Sequence, residues 1–421
     1  MARNDRDHQF NFAMGVLDGA FFGLAVGVAS YVTVLPLFVY SLTDSAVLVG
    51  AIGAIRVAGW QFPQVLTVGR VSRLTRYKPM VLTMTTFERL PFLGLAIVAL
   101  AVPVLGQRAA LALTFALLIA HGLCGGFTAT AWQAMIGKIM PVSLRGRFFG
   151  AQVAASSVLG SVGAVVAGVL LVRLGTPLNF AACFFLAFLA TGVSWLFLSR
   201  IREPHAPPAG GAVDTRALWA KLLGILRRDP NFRWFLTARA LSQLGVMAIA
   251  FLTVYSVDRF AIGAATAGAL TAAMTLSQAG GSLLAGWVGD HHGHRAAMGF
   301  GTLALAAAAL LAILAPAAAW MFPVFALAGA GNAAVWTSPL AMTLEFGSDA
   351  SRPAYIGLAN TLVAPATLAA PLLGGWVVDA SGYHAAFSLA ALGGLLTVAV
   401  LAVRVRDPAR PALERLTSSS V

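Results

Sequence analysis

Four charged residues stand inside long apolar runs in the first quarter of the chain: Asp18, Arg56, Glu88 and Arg89. A charge near the centre of a bilayer costs about 2.5–3.5 kcal/mol on insertion scales unless it is paired or hydrated. Two acids and two bases form a neutral set, and their depths in the runs would let them meet. We interpret them either as a structural ion-pair network or as a proton-binding site, in which an arginine alternately pairs with an acid and withdraws.

Other polar side chains in apolar runs are candidates for the same chemistry or for binding a solute. His121 could carry a proton near neutral pH, or it could be a polar residue hydrogen-bonded between helices. An apolar cavity with a few amides and indoles suits an amphipathic organic molecule better than a sugar. The tryptophans could instead be interfacial anchors, and Arg239 could extend to the membrane surface. The candidate cavity residues are Trp132, Gln133, Arg239, Gln243, Gln278, Asn332, Trp336 and Asn360.

The elements that must position these residues are predicted to be membrane-spanning helices. The 421 residues are 59% hydrophobic and only 10% charged, with a mean hydropathy of +0.84, which indicates a multi-pass membrane protein. Each span must be helical because lipid offers no partner to free backbone groups. Twelve stretches have the required length of roughly 20 residues: 12–40, 46–69, 79–103, 109–136, 148–172, 178–199, 232–257, 264–288, 295–315, 319–343, 354–378 and 384–403.

The net charge of +13 could suggest a nucleic-acid partner, so the positions of the basic residues matter. Most of the 28 lie at the ends of the chain, in alternate loops and in a polar break near the middle. This asymmetry is typical of the positive-inside rule and of contact with anionic lipids. We therefore expect membrane lipids and no nucleic acid as partners, with both termini in the cytoplasm.

The polar break divides the chain into two related halves. We predict a first six-helix bundle at 1–199, a cytoplasmic linker at 200–231, and a second bundle at 232–421 with a short tail. The linker is expected to contain an amphipathic helix, Thr215 to Arg228, on the membrane surface, although a solvated linker is the alternative. The halves repeat each other: Arg145 and Gly150 match Arg352 and Gly357 at one offset, and Asn11-Phe12 recurs as Asn231-Phe232.

A short motif between spans 8 and 9 carries a resemblance to a known family. The segment GWVGDHHGHR, 286–295, is similar to the G-x-x-x-D-x-x-G-x-R signature of the major facilitator superfamily. Glycines permit a tight turn, and the acid can accept hydrogen bonds at the N-terminus of a neighbouring helix. The resemblance implies that Gly286, Asp290, Gly293 and Arg295 form a gate latch.

Other segments depart from the family pattern. In the first-half loop, Arg73 stands where the latch acid belongs. His121 occupies the arginine position of the R-x-x-x-G motif of proton-coupled members, with Gly125 as its glycine, and Gly163–Gly168 only partly resembles the drug-antiporter motif. His291, His292 and His294 lie within the latch motif, so we predict no metal site.

The resemblance implies a twelve-helix transporter with two pseudo-symmetric six-helix bundles, in which helix 1 of each half lines the central cavity. Asp18 is therefore our first choice for the proton-binding acid, and Glu88 the more structural one. We expect a monomer in the bacterial inner membrane that exports a small amphipathic organic solute by alternating access and proton antiport. Proton symport or facilitated uptake is the alternative, and a channel or lipid scramblase the remote one. No nucleotide-binding or hydrolase motif is present, so neither a cofactor nor an enzyme activity is expected.

Overall fold

The computed structural model describes residues 2–31, 33–43, 46–205, 215–262 and 264–407, and most of these lie in α-helices. None of the residues in these ranges forms a strand, as the predicted all-α fold class requires. The helices are α1 (Ala2–Val28), α2 (Val34–Tyr40), α3 (Ala46–Gln61), α4 (Gln64–Val71), α5 (Lys78–Ile139), α6 (Arg145–Arg173), α7 (Leu178–Arg200), α8 (Thr215–Arg228), α9 (Pro230–Met247), α10 (Ile249–Phe260), α11 (Ala264–His292), α12 (His294–Leu314), α13 (Met321–Thr343) and α14 (Arg352–Arg404).

Two helices are long enough to contain two predicted spans each. α5 has 62 residues and α14 has 53, whereas one crossing needs about 20. Gly106 in α5 has a φ of 74° and Gly382 in α14 a φ of 81°, a backbone conformation that glycine adopts without strain. Both glycines lie where the sequence predicts a loop between two spans, so each long helix is two helices joined at a kink.

Three predicted spans are interrupted instead of continuous. The first span breaks between Val28 and Val34, and the second breaks at Pro63, between α3 and α4. Proline has no backbone N–H and its ring clashes with the preceding turn, which explains the second break. The seventh span breaks at Ala248, between α9 and α10.

The chain divides into two compact units. Unit 1 contains Met1–Met140, Ala155–Gly211 and Ile356–Thr361. In unit 1, α1 and α5 pack on α7, and α3 packs on α5. Its apolar core includes Phe38, which meets Phe184 at 5.4 Å between ring centroids.

Unit 2 contains Pro141–Ala154, Ala212–Tyr355 and Leu362–Val421. Here α11 and α12 pack on α13. The core includes the buried residues Met247, Phe325 and Phe387. Tyr255 also belongs to this core, and its hydroxyl donates a hydrogen bond to the carbonyl oxygen of Ala312 at 2.9 Å. Buried hydroxyls need such a partner because an unpaired one costs about 1–3 kcal/mol.

Helix α8 has the bounds that the sequence predicts for the linker helix. Leu222 is buried and Leu223 is exposed. Its position on a membrane surface stays a prediction.

Candidate functional site

One buried charge network joins three helices of unit 1. Asp18 of α1 accepts a hydrogen bond from the Ser194 hydroxyl at 2.6 Å and lies 3.7 Å from the Arg89 Nη2 atom. Arg89 of α5 donates to Ser194 at 2.9 Å, to the Thr191 carbonyl at 2.8 Å and to the Thr85 carbonyl at 3.0 Å. The Asp18 and Arg89 side chains are 10% and 6% exposed. Each group therefore has partners in a water-poor site, as a buried ion pair requires.

Among the described residues, the side chains of the other two predicted charges make no direct hydrogen bond or ion pair with this network. Glu88 and Arg89 are adjacent in α5, so their side chains leave the helix about 100° apart and face different neighbours. Arg56 of α3 lies over the Tyr31 ring, 5.0 Å from its centroid. Among the described residues, Asp18 and Arg89 form the direct ion pair of the four, and Glu88 interacts with both of them electrostatically over a longer distance.

Glu88 lies beside the part of α5 that resembles the R-x-x-x-G motif. A Cβ added to Gly125 would stand 2.9 Å from Glu88 Oε1, so the carboxylate packs directly over that glycine. His121 Nδ1 lies 2.8 Å from the Glu88 carbonyl oxygen, and its ring meets Phe92 at 4.9 Å. Within the described part of the chain, no hydrogen bond or ion pair involves the Glu88 carboxylate. Of the two acids inside predicted spans, Asp18 has a hydrogen-bond donor and an arginine partner, whereas the Glu88 carboxylate has neither among the described residues.

A cluster of amides lies in unit 1 at the kink between α3 and α4. Asn360 Nδ2 donates to Gln64 Oε1 at 2.7 Å and to Gln133 Oε1 at 2.9 Å. All three residues are at most 2% exposed. Among the described residues, Gln133 Nε2 and Gln61 Oε1 have no hydrogen-bond partner. The Gln133 amide N–H donors and the Gln61 acceptor at the end of α3 are therefore unused, and a polar solute group or a water would need such groups.

Two of these amides, Gln133 and Asn360, are predicted cavity residues that the structure brings together. Gln64 and Gln61 are not among the predicted residues. The signal that could have found them is their position on either side of Pro63, because a helix break exposes backbone groups that polar side chains can satisfy.

The remaining predicted cavity residues lie on α5, α9, α11 and α13. Trp132 is half-buried in α5, and Arg239, Gln243, Gln278 and Asn332 are half-buried in unit 2, on α9, α11 and α13. Trp336 is 43% exposed. The Arg239 guanidinium lies 5.8 Å from the Phe235 ring centroid. Whether these residues line a solute site stays a prediction.

The glycine-rich motif meets the first turn of α6, within unit 2. Asp290 accepts hydrogen bonds from the backbone N–H groups of Gly146 and Arg147, both at 2.8 Å, and from the Arg147 Nε at 3.2 Å. These N–H groups are free at a helix N-terminus, where the helix dipole also favours a negative charge. Burial raises the pKa of Asp290, and these hydrogen bonds oppose that shift.

The motif glycines are needed for close approach as much as for a turn. The segment is helical up to His292, and only Gly293, with a φ of 91°, makes the turn. A Cβ on Gly286 would overlap the Gly146 carbonyl oxygen, and one on Gly146 would lie 2.6 Å from both Asp290 Oδ1 and the Gly286 carbonyl oxygen. A Cβ on Gly293 would overlap the Asp407 carboxylate.

Arg295, the last motif residue, connects the motif to the end of α14. Its backbone N–H donates to Asp407 Oδ2 at 3.2 Å, and its Nη1 donates to the Val405 carbonyl oxygen at 2.9 Å. In the described residues, no group of three or more His, Cys, Asp or Glu side chains has a geometry that could hold a metal. The motif histidine His291 instead stacks on Trp287, with 4.7 Å between centroids.

In the corresponding loop of the first half, where Arg73 replaces the latch acid, a carboxylate from outside the motif binds the helix N-terminus. Glu203 accepts hydrogen bonds from the backbone N–H groups of Tyr77 and Lys78, at 2.9 and 2.8 Å, at the start of α5. It also forms an ion pair with Lys138 at 2.9 Å, and its side chain is 0% exposed. Sequence reasoning missed Glu203 because it lies outside the motif, in the linker after α7.

Comparisons with known proteins agree with this architecture. None of the curated protein sequences matches the chain. The human organic anion transporter MFSD10 (TETRAN) has a TM-score of 0.76 at 16% identity, over 94% of this chain and 99% of that one. The E. coli fucose:proton symporter FucP has a TM-score of 0.75 at 16% identity, over 95% and 100%. A bacterial homologue of the iron transporter ferroportin, in an outward-facing state, has a TM-score of 0.74 at 12% identity, over 93% and 98%.

At these identities the structures show the fold alone, and they confirm the predicted fold class. The family comes from the sequence itself, because the profile of the Major Facilitator Superfamily matches residues 83–263 and 235–419. Members of this family are transporters and not enzymes. Together with the apolar helices, the match shows that this chain is a multi-pass membrane protein and a secondary transporter that belongs to the Major Facilitator Superfamily.

Proposed function

We propose that this transporter exports a small, amphipathic organic solute in exchange for protons, across a bacterial inner membrane and with both termini in the cytoplasm. Proton exchange needs an acid that can gain and lose a proton inside the membrane without collapsing the fold. The observation that carries the proposal is the Glu88 carboxylate, which lies within α5 over Gly125 and has no donor among the described residues. An ionisable group at such a depth is rarely retained without a function.

The contacts of the two acids lead us to propose Glu88, ahead of Asp18, as the proton-binding residue. Asp18 is held by Ser194 and lies close to Arg89, so its ionised form is compensated in the structure described here. Removing its charge would leave Arg89 buried with fewer partners, a typical structural role. Arg56 lies over the Tyr31 ring, and Tyr31 interacts electrostatically with both Arg56 and Glu88, so Arg56 could approach Glu88 or withdraw from it. We propose that this movement alternates the affinity of Glu88 for a proton.

The proposed solute class is based on the small number of polar side chains inside the predicted spans. The amide cluster of Asn360, Gln64 and Gln133 offers few hydrogen bonds, whereas a sugar needs many. MFSD10 is described as an organic anion transporter, which supports an organic solute. FucP is described as a proton symporter, which supports coupling to protons within this fold.

The test is proton flux in sealed liposomes that contain the purified protein and an internal pH dye. Pools of lipophilic cations, amino acids, sugars and organic acids are added outside, and the pH change is recorded for the wild type, Glu88→Gln and Asp18→Asn. We expect one pool to change the internal pH in the wild type, and Glu88→Gln to abolish that change. Asp18→Asn should lower thermal stability and retain flux in the protein that remains folded.

The sign of the pH change, with the side of solute addition, distinguishes export by antiport from uptake by symport. Substrate-dependent proton flux that persists in Glu88→Gln would contradict the assigned role. Thermal stabilisation by a solute pool without any proton flux would contradict proton coupling and support facilitated diffusion.

A further inference from the structure

The two halves of the sequence repeat a small structural motif after their last helices. Asn11 exchanges two hydrogen bonds with the backbone of Arg202, through its Nδ2 and Oδ1 atoms, both at 2.8 Å. Asn231 exchanges the same two bonds with the backbone of Arg406, at 2.9 and 2.7 Å. An acid follows each arginine, Glu203 in unit 1 and Asp407 in unit 2.

The two acids also occupy equivalent positions in their units. Glu203 accepts from backbone N–H groups at the start of α5, and Asp407 accepts from the N–H of Arg295 in the first turn of α12. α5 and α12 each begin the third span of their half. The repeat therefore places one carboxylate at the same helix N-terminus in each unit.

The partners of these acids differ in charge. Glu203 pairs with the ammonium group of Lys138 at 2.9 Å. Lys138 and Glu345 have the same sequence offset as the matched pair Arg145 and Arg352, so Glu345 is the counterpart of Lys138. In unit 2 the carboxyl groups of Glu345 and Asp407 lie close enough together to share a hydrogen bond if one of them is protonated. Unit 2 thus has two acids in contact, Asp407 and Glu345, at the position where unit 1 has the ion pair of Glu203 and Lys138.

Two ionised carboxylates cannot form a hydrogen bond because both are acceptors only. Glu345 Oε2 and Asp407 Oδ1 are both buried without any protein donor among the described residues. The Glu345 side chain is only 3% exposed, so bulk water does not supply the donor. One proton between the two carboxyl groups would satisfy both oxygens.

We propose that Glu345 and Asp407 form a proton-binding site, in which one shared proton takes the place of the Lys138 ammonium group of the other unit. This site is distinct from the Glu88 region and does not depend on the proposed direction or solute.

The charged groups around the pair are consistent with one proton and not two negative charges. Glu345 Oε1 lies 3.4 Å from His294 Nε2, which lies 4.0 Å from Asp290 Oδ1 of the latch. Arg145 and Arg352 both donate to the carbonyl oxygen of Leu344, the residue before Glu345. The positive charge of Arg145 lowers the pKa of Glu345, and so opposes the larger effects of burial and of the Asp407 charge. On the other side, the guanidinium of Arg295 donates to the Val405 carbonyl oxygen, and it forms no ion pair with a carboxylate among the described residues.

Burial, and then the negative charge of Asp407, raise the pKa of Glu345 well above its usual value. A carboxyl group with a raised folded-state pKa contributes stability fully below its unfolded-state pKa of about 4.3, and that contribution is lost as the pH rises through the folded-state pKa. Loss of the proton would put a second charge beside His294 and Asp290. The contact between Asp290 of the latch and the first turn of α6 should therefore weaken as the pH rises.

The test is infrared difference spectroscopy of the purified protein at neutral pH, in H₂O and D₂O. Wild type minus Glu345→Gln, and wild type minus Asp407→Asn, should each show the loss of one protonated-carboxyl C=O band that shifts in D₂O. Each amide variant supplies its own N–H donor to the remaining carboxylate, so that carboxylate no longer needs the proton. Other protonated acids cancel in the difference spectra. Asp349→Asn is the matched control, since its side chain is 87% exposed, and it should show the loss of a carboxylate band only.

A second readout shows whether the proton stabilises the fold. The melting temperature of the wild type should fall between mildly acidic and mildly alkaline pH, and this slope should be smaller in Glu345→Gln but unchanged in Asp349→Asn. The proposal is overturned if both pair variants remove a carboxylate band instead of a carboxylic acid band, or if the wild-type slope persists in Glu345→Gln.

Discussion

Replacing Gly146 by alanine adds one methyl group at the contact between α6 and α11, and the structure predicts both the sign and the size of the effect. The new Cβ would lie 2.6 Å from Asp290 Oδ1, 2.6 Å from the Gly286 carbonyl oxygen and 2.7 Å from the His294 ring. Real Cβ atoms do not approach so closely, so the helices must separate. The Asp290 bonds to the first turn of α6 would lengthen with them.

The expected cost combines two effects. Overpacking a tight contact costs about 1–3 kcal/mol. Weakening charge-assisted hydrogen bonds adds a part of the roughly 1.5–3 kcal/mol that each is worth. In the opposite direction, alanine stabilises the folded state by about 0.4–1 kcal/mol because it lowers the conformational entropy of the unfolded chain. We expect a net loss of about 2–4 kcal/mol, or roughly 4–16 °C in melting temperature for a unit of ~200 residues.

A matched control lies in the same helix. A Cβ on Gly168, also in α6, would have nothing within 4 Å. Gly168→Ala therefore has no overpacking cost and only restricts the unfolded chain, so it should raise the melting temperature slightly. The two variants add the same methyl group and differ only in what surrounds it.

Unfolding can be followed in detergent with a thiol-reactive fluorescent dye in a Cys124→Ser background, which removes the partly exposed thiol. Cys183 is fully buried in α7 and becomes reactive only on unfolding. Opposite shifts are expected, down for Gly146→Ala and up for Gly168→Ala. Shifts of the same sign and similar size would refute the reasoning, since they would mean that the contact between α6 and α11 contributes nothing to stability.

Three further predictions use the same thermal assay. Asp290→Asn should destabilise by about 2–4 kcal/mol, since an amide presents only one acceptor to two N–H groups, whereas the exposed Asp349→Asn should be neutral. Asn360→Leu leaves two buried glutamine oxygens without their donor, so a loss of at least about 2 kcal/mol is expected, and an unchanged melting temperature would argue against the amide cluster. Lys138→Met should cost about 3 kcal/mol by leaving Glu203 buried without its cation, and Lys138→Arg should restore most of that loss.

Several features of this protein follow from the sequence because they depend on local composition. Long apolar runs must be helical in lipid, so the all-α fold and the approximate spans could be predicted. The bounds of α8 follow from an amphipathic pattern between polar segments. The latch motif could be recognised because its glycines and its acid lie within ten consecutive residues.

The interruptions of the helices were harder to predict from hydropathy. Hydropathy averages over about 20 residues, so the breaks at Pro63 and Ala248 lie inside runs that remain apolar throughout. The extension of α11 to His292 was missed for the opposite reason, since polar residues there continue the helix that hydropathy ends.

Pairings between distant side chains needed the tertiary structure. Depth along a helix placed Asp18, Arg56 and Glu88 near one another, but the direction in which each side chain leaves its helix depends on packing. That direction pairs Asp18 with Arg89 and leaves Glu88 over Gly125. A sequence gives the rise of 1.5 Å per residue, but the rotation of one helix against another is set by side chains far along the chain.

The sequence by itself determined the class of the protein, because hydrophobicity and short motifs are properties of neighbouring residues. Only the tertiary structure decided which charges meet, since Glu203 with Lys138 and Asp407 with Glu345 are brought together by folding over many tens of residues. The repeat of two halves is visible in the sequence. The difference between them, an ion pair in one and two acids in the other, becomes a physical statement only when the side chains are in contact, because electrostatic energy depends on distance and burial.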